Sequence, residues 1–132
     1  MKFRSRRLLA FPLLLLLPCS GSQAAPPLGA EAAKRLISDH TWQQQQAHGP
    51  GKVYWSWKAD GTVCLRTDDE TGKCADTGRW TLEGDRTCYE LTWWGASSGR
   101  KSACFRIVDR DKGLFEAVQD NGLTLFEFSL VR

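Results

Sequence analysis

From residue 52 onward, apolar and polar residues alternate in short runs separated by turn-forming clusters. Residues 52–58 place Val53, Trp55 and Trp57 on one face and Tyr54, Ser56 and Lys58 on the other, the period-two signature of a half-buried strand. Asp60-Gly61 ends this run as a tight turn, and 62–68 resumes it with Val63 and Leu65. The polar tip Asp68-Asp69-Glu70-Thr71-Gly72 forms the next turn. Further strands are predicted over 73–83 (Trp80, Leu82), 87–94 (Tyr89, Leu91, Trp93), 102–109 (Ala103, Phe105, Ile107), 114–119 and 123–131 (Phe126, Phe128, Leu130). Gly84-Asp85, residues 95–99 and Asp120-Asn121-Gly122 supply the turns between them.

Ahead of these runs, 41–45 reads as a first strand with a polar edge. Residues 30–38 are rich in helix formers, with Ala33, Leu36 and Ile37 sharing a face, and predict a short helix over one end of the sheet. Residues 25–29, Ala-Pro-Pro-Leu-Gly, form an extended linker. The result is an all-β domain over 30–132, with eight short strands in succession and a short N-terminal helix. Successive hairpins favour an eight-stranded antiparallel up-and-down barrel of the calycin or lipocalin type, because eight strands close around an interior that side chains fill. A β-sandwich carries the same pattern and is the alternative.

The first residues are of another kind. Lys2, Arg4, Arg6 and Arg7 precede an apolar run over 8–17, and the small residues Ser22-Gln23-Ala24 follow. This is the order of a signal peptide over 1–24, and the apolar run is shorter than the ~20 residues of a membrane-spanning helix. Cleavage is expected before Ala25, with lipidation at Cys19 as the rival, and membrane attachment is expected only through that lipid. The protein is therefore expected in the periplasm or secreted. Removal of the leader changes the charge: the full chain has 18 Lys and Arg against 15 Asp and Glu, and without the leader's four bases 14 face 15. A nucleic-acid partner, which requires a basic face, is not expected.

Cys64, Cys74, Cys88 and Cys104 follow the leader, separated by nine, thirteen and fifteen residues. An even count in an exported chain predicts two disulfides, and the spacings match neither the close pairs of zinc sites nor a redox motif. Cys88 and Cys104 have parity opposite to the apolar faces of their strands, so a bridge between them would tie that hairpin from outside. Cys64 and Cys74 flank the acidic tip and can pair likewise; four cysteines allow three connectivities.

No catalytic constellation is visible. His40 and His48 have no nucleophile partner, most carboxylates are turn residues, and Glu90 and Glu127 take outward strand positions. The expectation is a non-enzymatic protein with no metal and no cofactor. The unusual feature is six tryptophans in a short chain. Strand parity turns Trp55, Trp57, Trp80, Tyr89, Trp93, Phe105, Phe126 and Phe128 inward, enough to fill the barrel. The functional reading adds a small apolar pocket at one mouth, lined by Trp55, Trp57 and Trp93. Trp94, of opposite parity, is expected outside next to Arg100 and Lys101, where Trp and Arg would suit a protein partner. The two hypotheses are a binding module for a small apolar ligand and an interaction module, such as a hydrolase inhibitor, acting through 94–101.

Several short motifs together are familiar: Leu36-Ile37-Ser38-Asp39-His40-Thr41-Trp42, Asp60-Gly61-Thr62, Gly78 with Trp80, Cys88-Tyr89 and Cys104-Phe105. The chain resembles small exported proteobacterial proteins of unknown function that include the DUF995-like families, over most of 36–128. The resemblance implies a calycin-type β-barrel with Cys88–Cys104 as the shared bridge, and no activity. This chain departs from the group in adding Cys64 and Cys74, and in Asp39-His40 where the group tends to Gly-Asn.

Overall fold

A computed structural model describes residues 25–45 and 51–132. The expected leader, its cleavage site, Cys19 and His48 lie outside the described residues. Eight antiparallel strands follow one another around a closed barrel: β1 (His40–Gln45), β2 (Val53–Trp57), β3 (Thr62–Thr67), β4 (Asp76–Glu83), β5 (Arg86–Leu91), β6 (Ser102–Asp109), β7 (Phe115–Val118) and β8 (Thr124–Leu130). Pairing of β1 with β8, from Trp42 opposite Leu130 to Gln45 opposite Glu127, closes the circle. The barrel replaces the sandwich alternative, and closure leaves no unpaired sheet edge among the described strands.

The helix α1 (Ala30–Ile37) buries Ala33 and Ile37, one turn apart, in the core at the end where β1 begins. It stops where Ser38 becomes extended and Asp39 takes a positive φ of 60°. The Trp42 indole N–H donates to the Leu36 carbonyl at 2.8 Å, satisfying one of the carbonyls that a helix C-terminus leaves free. Trp42 is fully buried, stacked on Phe128 with ring centroids 3.8 Å apart and planes at 11°. It belongs to the core beside the aromatics predicted from parity, although its position at the helix-to-strand turn hid this.

Inside, the rings interlock. Trp55 stacks between Trp57 (5.4 Å, 7°) and Phe126 (5.4 Å, 14°), while Phe105 meets Trp42, Trp57 and Phe126 edge-on. Offset and edge-to-face arrangements are the favourable geometries for aromatic pairs. Trp57 is wholly buried, so it belongs to this filling and not to a mouth.

Both disulfides form. Cys88 and Cys104 face each other directly across β5 and β6 with Cα atoms 4.0 Å apart, and Cys64–Cys74 ties β3 to the segment before β4 with Cα atoms 5.4 Å apart. The predicted turn at Asp60-Gly61 is also present. The Asp60 carboxylate accepts the Thr62 amide (2.9 Å) and hydroxyl (2.7 Å), and Gly61 has φ 87°.

One predicted strand ends early. Alternation through Leu91 and Trp93 implied a strand to residue 94, with Trp93 inside and Trp94 outside. Instead β5 stops at Leu91, the Trp93 side is 55% exposed, and Trp94 is half-buried against the core. The physical cause is Asp76, at the start of β4. Its carboxylate takes the amides of Trp93 (2.9 Å) and Trp94 (2.8 Å), drawing both residues out of strand pairing.

Candidate functional site

The two ends of the barrel differ. Helix α1 packs into the core at one end; at the other, residues 92–101 connect β5 to β6 and lean across towards β8. This loop is built from the Asp76 clasp, a short 3₁₀ turn (Ala96–Ser98) and two glycines of positive φ, Gly95 (78°) and Gly99 (71°). The Arg100 amide closes it by donating to the Gly95 carbonyl at 2.8 Å. A Cβ on Gly95 would lie 2.9 Å from the Arg100 carbonyl carbon, so both conformation and close approach require glycine here.

Asp76 is nearly buried, and its net pKa reflects opposing effects. Burial pushes the carboxyl up; the amides of Trp93, Trp94 and Thr77 push it down and prevail, leaving it below its ordinary value. The loop is therefore pinned by a carboxylate that stays charged. Nothing in the local sequence around Asp76 marks this role, because the partners are seventeen and eighteen residues away.

Beneath the loop lies a recess of about 150 Å³. Trp55 and Phe126 form part of its apolar lining, with Leu125 and Trp94 beside them. Gln44, Tyr89, Ser98 and Arg100 bring polar atoms to it. The Gln44 carbonyl oxygen accepts the Trp55 indole N–H at 2.9 Å, and the Tyr89 hydroxyl donates to the Arg100 carbonyl at 2.9 Å. Burial pushes the Tyr89 phenol up to about 12, with the nearby Arg100 charge pulling the other way, so it is neutral at physiological pH. The Arg100 guanidinium reaches the Leu125 carbonyl at 3.4 Å, a long contact, and among the described residues no carboxylate lies within ion-pair distance of it.

The predicted site residues therefore sort differently from the sequence expectation. Of the three tryptophans assigned to a pocket, Trp55 lines the recess, Trp57 is buried deeper in the barrel, and Trp93 stands on the surface. Of the set assigned to a partner, Trp94 and Arg100 line the recess, whereas Lys101 borders a shallow outer depression with Arg79 and Glu90. The exposed tryptophan of the loop is Trp93, not Trp94. Gln44 and Leu125 were not foreseen as site residues, and Tyr89 and Phe126 were foreseen only as inward-facing rings; they meet because strands far apart in the chain close the barrel.

A larger depression of about 370 Å³ lies over the Cys88–Cys104 bridge on the outer wall. It is open to solvent and bordered by outward strand residues such as Arg79, Thr81 and Glu90, whereas the recess is more enclosed and aromatic-lined. The recess is the better-formed site. Among the described residues, no group of three His, Cys, Asp or Glu side chains converges to hold a metal.

Comparison with curated proteins and with solved structures finds no match for this chain. The family model described as "Protein of unknown function (DUF995)" matches residues 17–128, and the chain, a closed barrel with its bridge at Cys88–Cys104, belongs to that family.

Proposed function

We propose that this protein is an exported, non-catalytic binding module that works through the barrel end carrying the 92–101 loop. The observation that carries this reading is the aromatic-lined recess of about 150 Å³ at that end, above an interior already filled by stacked rings. A filled interior favours a small ligand held at the mouth over one engulfed in the barrel. The recess offers a guanidinium, a carboxamide, a hydroxyl and a phenol held neutral, a set suited to holding a molecule rather than moving protons near neutrality. Two disulfides support an oxidising compartment, the periplasm or the exterior, in keeping with the leader read from residues 1–24. Lipidation at Cys19 would add membrane attachment without altering the site.

The test is a titration of the oxidised protein with an extract of periplasmic small molecules and lipids, followed by tryptophan fluorescence. Trp55 and Trp94 in the recess predict a saturable change, lost in Ser98→Trp, where a bulky side chain obstructs the rim. A response that Ser98→Trp leaves intact would place binding elsewhere and overturn the reading.

The second reading, a protein-interaction module such as a hydrolase inhibitor, draws on the exposure of Trp93 (55%) on the same loop. Trp93→Ala should then abolish partner binding with little loss of stability, because the ring is largely solvated.

A further inference from the structure

We infer that the recess is selective for a small organic anion, a carboxylate carried on an apolar body about the size of a benzene ring. The inference rests on the proposed role of the recess and names its ligand class. Size comes first. A cavity near 150 Å³ accommodates benzene, and this recess has about that volume. The parallel Trp55 and Phe126 rings, with centroids 5.4 Å apart, and the neighbouring Leu125 supply an apolar, aromatic lining for such a body.

Polarity then selects the charge. An indole N–H can only donate, so the 2.9 Å contact between Trp55 and Gln44 fixes the carboxamide with its oxygen towards Trp55. The oxygen is thereby engaged, and the Gln44 NH₂ keeps its donors. Tyr89 directs its hydroxyl hydrogen to the Arg100 carbonyl, and Ser98 directs its own to the Gly95 carbonyl at 3.1 Å. Arg100 adds a guanidinium that, among the described residues, makes only the long hydrogen bond to the Leu125 carbonyl. Both hydroxyl oxygens thus keep only acceptor capacity, so the donors left for a ligand are the Gln44 NH₂ and the Arg100 guanidinium, and the one full charge they bring is positive. A planar carboxylate matches a guanidinium in geometry as well as sign, and charge-assisted hydrogen bonds are roughly twice as strong as neutral ones. Asp76 does not line the recess and, among the described residues, makes no ion pair with Arg100; its oxygens accept the amides of Thr77, Trp93 and Trp94.

The experiment titrates the ¹⁵N-labelled, oxidised full-length protein into the millimolar range with three probes: phenylacetate, its neutral isostere phenylacetamide, and acetate. Phenylacetate should produce saturable shifts in the Trp55 indole, Gln44 carboxamide and Arg100 Nε resonances. Phenylacetamide should bind roughly tenfold more weakly or worse, and acetate, lacking the apolar body, should not saturate. Arg100→Gln should erase the preference for acid over amide while the folded spectrum persists; the exposed side chain makes this variant safe for folding. Equal binding of acid and amide at the recess would overturn the anion assignment yet leave the binding-module reading standing. Shifts confined to other surfaces, or no saturable shift with any probe, would overturn the inference, with the extract titration then deciding the broader reading separately.

Discussion

Asp76 carries a full charge in a nearly closed setting because three backbone amides converge on it. Asp76→Asn replaces one acceptor oxygen with an NH₂ that must confront an amide donor. It should destabilise the fold by about 1–3 kcal/mol, read by urea denaturation. The pH dependence has a definite sign. The folded-state pKa is depressed, so the stabilisation is complete above the unfolded carboxyl's ordinary pKa and is lost as pH falls through the lower folded value. Acid titration of the wild type should therefore show a loss of stability in that range that is smaller in Asp76→Asn. Two glycines offer a second residue-scale test. A Cβ on Gly78 would lie 2.1 Å from the Glu90 carbonyl oxygen, in the β4–β5 ladder, where the backbones themselves must separate. Gly78→Ala should cost about 3 kcal/mol. Gly95→Ala should cost about 1–2 kcal/mol for the left-handed conformation alone, and should disturb the recess by displacing Arg100. Thermal unfolding separates the two, with Gly78→Ala the more damaging.

The element most dependent on cross-linking is the β5–β6 hairpin. Its loop of ten residues between strands is enclosed by the Cys88–Cys104 bridge, which spans a sequence separation of 16. Replacing both cysteines with serine should cost about 3 kcal/mol on a chain-entropy estimate. The Cys64–Cys74 bridge, with a separation of 10, should contribute less by a few tenths of a kcal/mol on the same estimate. Equilibrium denaturation of the two double variants measures the difference. At this scale the sequence was largely legible. Short alternating runs from residue 52 onward marked the later strands, turn residues such as Asp60-Gly61 marked their ends, and β1 was read as a polar strand ahead of them. Boundaries failed where a distant side chain intervened. Residues 73–75 precede β4 instead of opening it, and Asp76 ends the pairing of β5 before Trp93.

For the molecule as a whole, the aromatic core makes an optical prediction. Trp42, Trp55, Trp57 and Trp80 are buried, Trp94 is half-buried, and Trp93 is exposed. Emission should be predominantly blue, with a red component that iodide quenches. Trp93→Phe should remove the quenchable component while changing stability by no more than about 0.5 kcal/mol, as is usual for surface substitutions. Persistence of iodide quenching in that variant would contradict the assignment of Trp93 as the solvated ring.

Sequence alone determined the all-β class, the strand count, the short helix and the cysteines available to bridge, because each is written in local periodicity, turn chemistry and spacing. It favoured a barrel but left a sandwich open, and only the pairing of β1 with β8 decided between them. It also identified Trp55, Trp94 and Arg100 as residues of interest, though in two separate roles. Tertiary structure decided the rest. Closing β8 onto β1 brought Gln44 and Phe126 to the same mouth, and the Asp76 clasp exchanged the exposures of Trp93 and Trp94. Those outcomes depend on contacts between residues far apart in the chain, and strand parity describes a side chain's facing only while the strand continues.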